Sequence, residues 1–186
     1  MYKITYTLIF AILLSLNAQS QHLSAKLHHI IPKGYKILDS AVCHINNDCL
    51  ADLLVILKHK NEDQYPHANR PMLVLLGTKH TYSPYLVLAV NMHAVLCKSC
   101  GGIITNDPLI GIETKQGEFT IHYYGGGGYR WIREVTFKYL PDTEKVVLWK
   151  DITFELNQDP LIDEQKEVEN NPENFGKQNF EKYKAE

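Results

Sequence analysis

"ADLLVILKHKNEDQYPHANRPMLVLLGTKHTYSPYLVLAVN", residues 51–91, contains three apolar runs at 51–57, 72–76 and 85–90, bounded by Asn61-Glu62-Asp63, Gly77, Ser83-Pro84 and Asn91. Runs of five to seven residues are too short for typical helices and predict strands. A half-exposed strand alternates polar and apolar side chains. These do not, so each is expected to be covered on both faces. The sheet they form needs one layer above it and another below.

Upstream, residues 35–42 read as a first strand. Downstream the pattern changes: in 117–123, Phe119, Ile121 and Tyr123 alternate with Glu118, Thr120 and His122, which gives a strand with one buried face. Residues 129–140 and 145–156 follow as two strands joined by Pro141-Asp142-Thr143-Glu144, a turn in which proline presets φ and aspartate bonds its own backbone. The expected fold is therefore mainly β: two antiparallel, blade-like meanders over 35–91 and 109–156, within a β domain spanning 34–156.

The ends differ in kind. Lys3, an apolar stretch over 4–16, and small residues Ala18 and Ser20 at the −3 and −1 positions make residues 1–20 a signal peptide cut after Ser20. The run is shorter than the roughly 20 apolar residues a membrane span needs. The mature chain is thus expected to be soluble, without a membrane anchor, in the periplasm of a bacterium or secreted. Residues 21–33 form an N-terminal segment with room for one or two helical turns. Residues 157–186 carry eight acidic and four basic side chains. That composition buries too little to offset chain entropy and predicts a mostly irregular acidic tail, pinned in part by Phe175, Phe180 and Tyr183.

The formal charge is −2, or −3 without Lys3, and no basic stripe is present, which argues against nucleic acid as a partner. Nine histidines are scattered without a metalloprotease spacing. "HINNDCLAD", residues 44–52, has the outline of a linear calcium loop, with ligand positions on His44, Asn46, Asp48 and Asp52 and the carbonyl of Leu50. His44 offers nitrogen where a hard cation wants oxygen, and Cys49 fills the slot that favours glycine. Calcium is therefore disfavoured and no cofactor is expected. "GYKILDSAVCHINNDCLADLLVILK", residues 34–58, resembles the FG-GAP or VCBS-type repeat, in which strand, loop and apolar strand follow one another. The segments at 95–102, 107–139 and 173–183 are similar to small exported bacterial proteins of that description, whose activity is uncharacterised. The resemblance implies a non-enzymatic extracytoplasmic β protein. A single loop of this kind is too few for a full propeller.

Four cysteines in an oxidising compartment tend to pair, and three connectivities are possible. Joining Cys43 to Cys49 and Cys97 to Cys100 asks least of the fold, each bridge contributing about 2 kcal/mol. The first would then clamp the 44–52 turn in place of an ion. A four-thiolate zinc site and a redox-active Cys97-Lys98-Ser99-Cys100 are rival readings, the latter weakened by Gly101-Gly102 where a helix should begin. Four glycines at 125–128 join two strands without the helix or lysine of a phosphate loop. Read as a hairpin tip, they are neutral; read as a ligand edge, they bring His122, Tyr124, Gly126, Tyr129, Arg130 and Trp131 into a candidate surface for a protein or a glycan. The functional expectation is a non-enzymatic binding module. Its alternatives are an inhibitor or immunity-type protein against a secreted toxin, and a metal-assisted hydrolase using His44, Asp48 and His122 together.

Overall fold

The computed structural model describes residues 23, 26–46, 48–103, 107–127, 129–156 and 166–185; the signal segment expected over 1–20 lies outside them. No helix among the described residues is long and apolar enough to cross a membrane. Two antiparallel meanders make up the body of the described residues. The first runs β1 (Tyr35–Cys43), β2 (Asp52–His59), β3 (Arg70–Gly77), β4 (Tyr85–Val95), and the second β5 (Leu109–Lys115), β6 (Glu118–Gly126), β7 (Arg130–Leu140), β8 (Lys145–Leu156), β9 (Lys166–Glu169), each in sequence order. Neither sheet closes into a barrel or a propeller.

Of the three apolar runs, those of β2 and β3 have both expected covers. The third, in β4, is covered on one face alone: β4 is an edge strand, and Leu86, Val87, Val90 and Met92 stay exposed. Leu54 and Ile56 of β2 and Met72 and Val74 of β3 face the second sheet and share one core with Phe119, Ile121, Tyr123, Val135, Phe137 and Leu148. The alternate residues Leu53, Val55, Leu57, Leu73 and Leu75 face the other way, where Leu27 lies fully buried among them with Leu23, Ile30 and Ile31 packed alongside. The N-terminal segment is therefore the outer cover of the first sheet. Its chain turns at Leu27, whose carbonyl accepts the amides of Ile30 (2.8 Å) and Ile31 (2.9 Å).

In the second sheet the predicted alternation is seen residue by residue: Phe119, Ile121 and Tyr123 are buried, while Thr120, His122 and Tyr124 are partly exposed. The tail is irregular but not loose. It supplies β9, which pairs with β8 from Ile152 to Glu155, and it sends Phe180 and Tyr183 into the common core. Asn91, which as a turn residue should end β4, instead lies buried within it. Its side-chain amide donates to the carbonyls of Phe180 and Tyr183, the latter at 2.8 Å, so the tail satisfies the polar group that lets the strand continue.

Candidate functional site

The turn at residues 44–52 is held by its own hydrogen bonds. Asp52 is 1% exposed. One of its oxygens accepts the Ile45 amide at 2.7 Å and the other the Gly77 amide at 2.8 Å, which ties the turn to the end of β3. Asp48 accepts from the Leu50 amide (2.7 Å) and the Asn46 side chain (2.9 Å). Those two bonds, the amide first, hold its carboxyl below the usual carboxylate value. His44 Nδ1 donates to the Leu50 carbonyl at 3.0 Å. All the atoms proposed as calcium ligands on Asn46, Asp48, Leu50 and Asp52 thus have partners inside the protein.

The expected bridge between Cys43 and Cys49 does not form; both are free thiols. Cys43 is the last residue of β1 and points into the common core, whereas Cys49 is exposed on the turn. Burial, aided by the charge of Asp52, pushes the Cys43 thiol up to about 12. Hydrogen bonding by Asp52 does the clamping that was assigned to sulfur. Cys97 and Cys100 do lie at disulfide distance, as expected.

The six residues of the glycine-rich edge divide between two faces. In the β6–β7 register His122 sits opposite Glu134, Tyr124 opposite Ile132 and Gly126 opposite Arg130, on the outer face; Gly125 sits opposite Trp131 on the inner face. His122 is held between Glu113 (Nε2 to Oε2, 3.2 Å) and Glu134 (Nδ1 to Oε1, 3.5 Å), committed to its own sheet. Tyr129 is 85% exposed at the tip.

Close approach explains the glycines. A Cβ on Gly125 would fall 2.2 Å from Trp131 Cζ2 and 2.8 Å from the Gly101 carbonyl oxygen, and one on Gly102 would meet the Gly126 carbonyl oxygen at 2.9 Å. The tip is therefore a platform on which the turn bearing Cys97 and Cys100 and the Trp131 indole both rest. Gly125→Ala is expected to lower stability by about 1–3 kcal/mol through overpacking, read as a lower urea midpoint with an unchanged slope.

Beyond Trp131 the inner faces of β7 and β8 open to solvent. Three hollows of about 370, 450 and 470 Å³ succeed one another there: Trp131 and Thr153 line both the first and the second, Arg133 and Thr153 both the second and the third. Arg130, Glu155 and Lys166 flank one end. At the other, Asp151 accepts two bonds from Arg133 (both 2.8 Å), one from Tyr183 Oη (2.9 Å) and one from Asn170 Nδ2 (2.9 Å). Asn171, Asn174 and Gln178 complete that end from the tail. Of this groove, sequence reasoning found Arg130 and Trp131. It missed Arg133, Thr153 and Asn170, whose signal was present as polar residues at inward positions of strands β7 and β8 and in a tail thought irregular.

The turn and the glycine platform occupy opposite ends of β6. Gly117, just before its first residue, donates to the His44 carbonyl at 2.9 Å, and Gly126 ends it, roughly 31 Å away at about 3.4 Å per residue. A hollow of about 350 Å³ beside the turn contains His44 and Asp48 but not His122. Among the described residues no group of three His, Cys, Asp or Glu side chains is placed to hold a metal ion. No family model, no curated protein and no solved structure matches the chain.

Proposed function

We propose that this chain is an exported, non-enzymatic binding module that holds a glycan along the groove of β7 and β8. The supporting observation is a half-buried indole, Trp131, locked over Gly125 and continuous with a run of hydrogen-bonding side chains: Thr153, Asn170, Asn171 and Asn174. Sugars present an apolar ring face and a rim of hydroxyls, and sites of this kind meet the first with an aromatic ring and the second with amides and hydroxyls. The rigid platform lowers the entropy of ordering the ring on binding.

Titration with soluble oligosaccharides derived from chitin, β-glucan and peptidoglycan tests the reading. Trp131→Ala is expected to weaken binding of the recognised sugar tenfold or more while Tyr129→Ala, at the exposed tip, leaves it within twofold. Equal affinity of the Trp131→Ala protein, or no binding by any of the sugars, defeats it.

A protein partner is the second reading, and β4 favours it. This edge strand exposes Leu86 (61%) together with Val87, Val90 and Met92, an apolar row of the sort that partners cover. Recovery of one stoichiometric protein partner, released by Val90→Lys, would support the inhibitor-type role over glycan binding.

A further inference from the structure

We propose that Cys97 and Cys100 form a thiol–disulfide exchange site in which Cys100 is the sulfur attacked and Cys97 the sulfur released, with Ser99 and His67 stabilising the released thiolate. The two cysteines differ sharply in surroundings. Cys97 is 8% exposed, whereas Cys100 is exposed and lines the middle hollow of the groove, open to an approaching thiol. Around Cys97 stand two polar groups: its Sγ lies 3.5 Å from Ser99 Oγ and 3.8 Å from His67 Nδ1, and those two are 2.8 Å from each other. A buried sulfur beside a hydroxyl and an imidazole is a good leaving group, because the thiolate it becomes lies within reach of both, the Ser99 hydroxyl needing only to turn from the Pro66 carbonyl that it meets at 3.2 Å.

The placement is built by the fold. His67 comes from the loop between β2 and β3, and Ser99 from the 3-10 turn Lys98–Gly101. The two segments are joined by the Ser99 amide to the Pro66 carbonyl at 3.1 Å and by an ion pair between Lys98 and Asp63. Arg70, fully buried, holds the same loop through Glu62 at 2.7 Å. The missing helix start, which weakened a redox reading of the sequence, is replaced as a source of thiolate stabilisation by a hydroxyl and an imidazole delivered from another strand connection.

The exchange balances with a small or protein-borne dithiol as reductant. Its thiolate attacks Cys100 Sγ, forming a mixed disulfide and breaking the Cys97–Cys100 bond. Cys97 leaves with the electron pair and stays a thiolate, the Ser99 hydroxyl turning to it from the Pro66 carbonyl, 3.2 Å away, while its oxygen accepts from His67 Nδ1–H. The second thiol of the reductant loses its proton and attacks the sulfur that it shares with Cys100, releasing the Cys100 thiol and leaving the reductant as a disulfide. Two electrons and one proton pass to the protein, and the reductant's other proton goes to solvent.

The test uses the full folded chain equilibrated with dithiothreitol and then with graded glutathione buffers, followed by acid quench, alkylation and mass mapping of the peptide that carries both cysteines. The expected result is complete opening by dithiothreitol without denaturant. His67→Ala and Ser99→Ala, checked as folded by circular dichroism, should each need about tenfold more reducing buffer at midpoint, which corresponds to about 30 mV. In Cys97→Ser the Cys100 thiol should accumulate a glutathione adduct, and in Cys100→Ser the buried Cys97 should not. Resistance of the native disulfide to dithiothreitol, or midpoints of both variants identical to that of the parent, overturns the proposal.

Discussion

Replacing Arg70 with alanine is expected to destabilise the protein by about 3–5 kcal/mol, a large part of the 5–15 kcal/mol that keeps a domain of this size folded. Arg70 is fully buried between two carboxylates. Its Nε and Nη2 donate to Glu62 at 2.7 and 3.0 Å, its Nη1 and Nη2 to Asp107 at 2.7 Å each, and Nη1 also reaches the Leu96 carbonyl at 3.4 Å. The guanidinium ties together the β2–β3 loop, the end of β4 and the start of the second sheet. Alanine leaves Glu62, itself buried, as an uncompensated charge, which is why truncation costs more than the pair contributes. Lysine does not rescue it, since one ammonium cannot fork to two carboxylates. Burial resists ionisation of Asp107, but the hydrogen bonds and charge of Arg70 outweigh it and hold that carboxyl below its ordinary value. A depressed folded value means that the contribution is present above the unfolded value near 4 and is lost as pH falls through the folded one. Urea midpoints at pH 7 should therefore separate parent from Arg70→Ala widely, and the gap should narrow below about pH 4.

Much of this fold can be read from side-chain periodicity, because periodicity reports burial directly. The unbroken apolar runs of β2 and β3 correspond to strands covered on both sides, and the alternation of Phe119, Ile121 and Tyr123 to a strand covered on one. The tail was harder to read because its contribution rests on few side chains. Two aromatics and one strand of four residues, Lys166–Glu169, anchor it within a composition that reads as solvated. Similarly, Arg70 and Asn91 carry no local signal of burial: what permits it is partners 37 and 89 residues distant, Asp107 and Phe180.

The candidate site shows the same limit. Trp131 and the glycines were identifiable as unusual residue types, but a list of residues does not say which face each occupies. Period-two geometry sends His122 and Tyr124 one way and Trp131 the other, and only the β6–β7 register reveals it. For the cysteines, a preference for local pairing held for Cys97 with Cys100 and failed for Cys43 with Cys49, since the strand direction at Cys43 turns its sulfur into the core. The loop pattern at 44–52 survives as a turn because carboxylates can bond amides as readily as they bond a cation. Asp52 does so with Ile45 and Gly77.

Phe180→Ala should produce the second large loss, about 3–5 kcal/mol, from a residue of the acidic tail. The ring has no exposed surface and meets Phe119, Phe137 and the rest of the common core, with ring centroids 6.1 and 5.1 Å away in edge-on arrangements. Removing it leaves a cavity between the two sheets, where Phe119 and Phe137 stack on each other at 5.3 Å and have little freedom to collapse inward. The effect reaches further than the cavity. The Phe180 and Tyr183 carbonyls are the acceptors for buried Asn91, so a tail that lifts away strands that amide in β4 and withdraws Tyr183 from Asp151. Phe175, only partly buried at the margin of the same cluster, provides the contrast: Phe175→Ala should cost roughly 1 kcal/mol. Chemical denaturation of the two variants compares them directly, and equal small losses would mean that the sheets hold together without the tail. A loss at Phe180 several times that at Phe175 would make the last twenty described residues part of the cooperative unit, and with them the Asn170 and Asn174 wall of the groove.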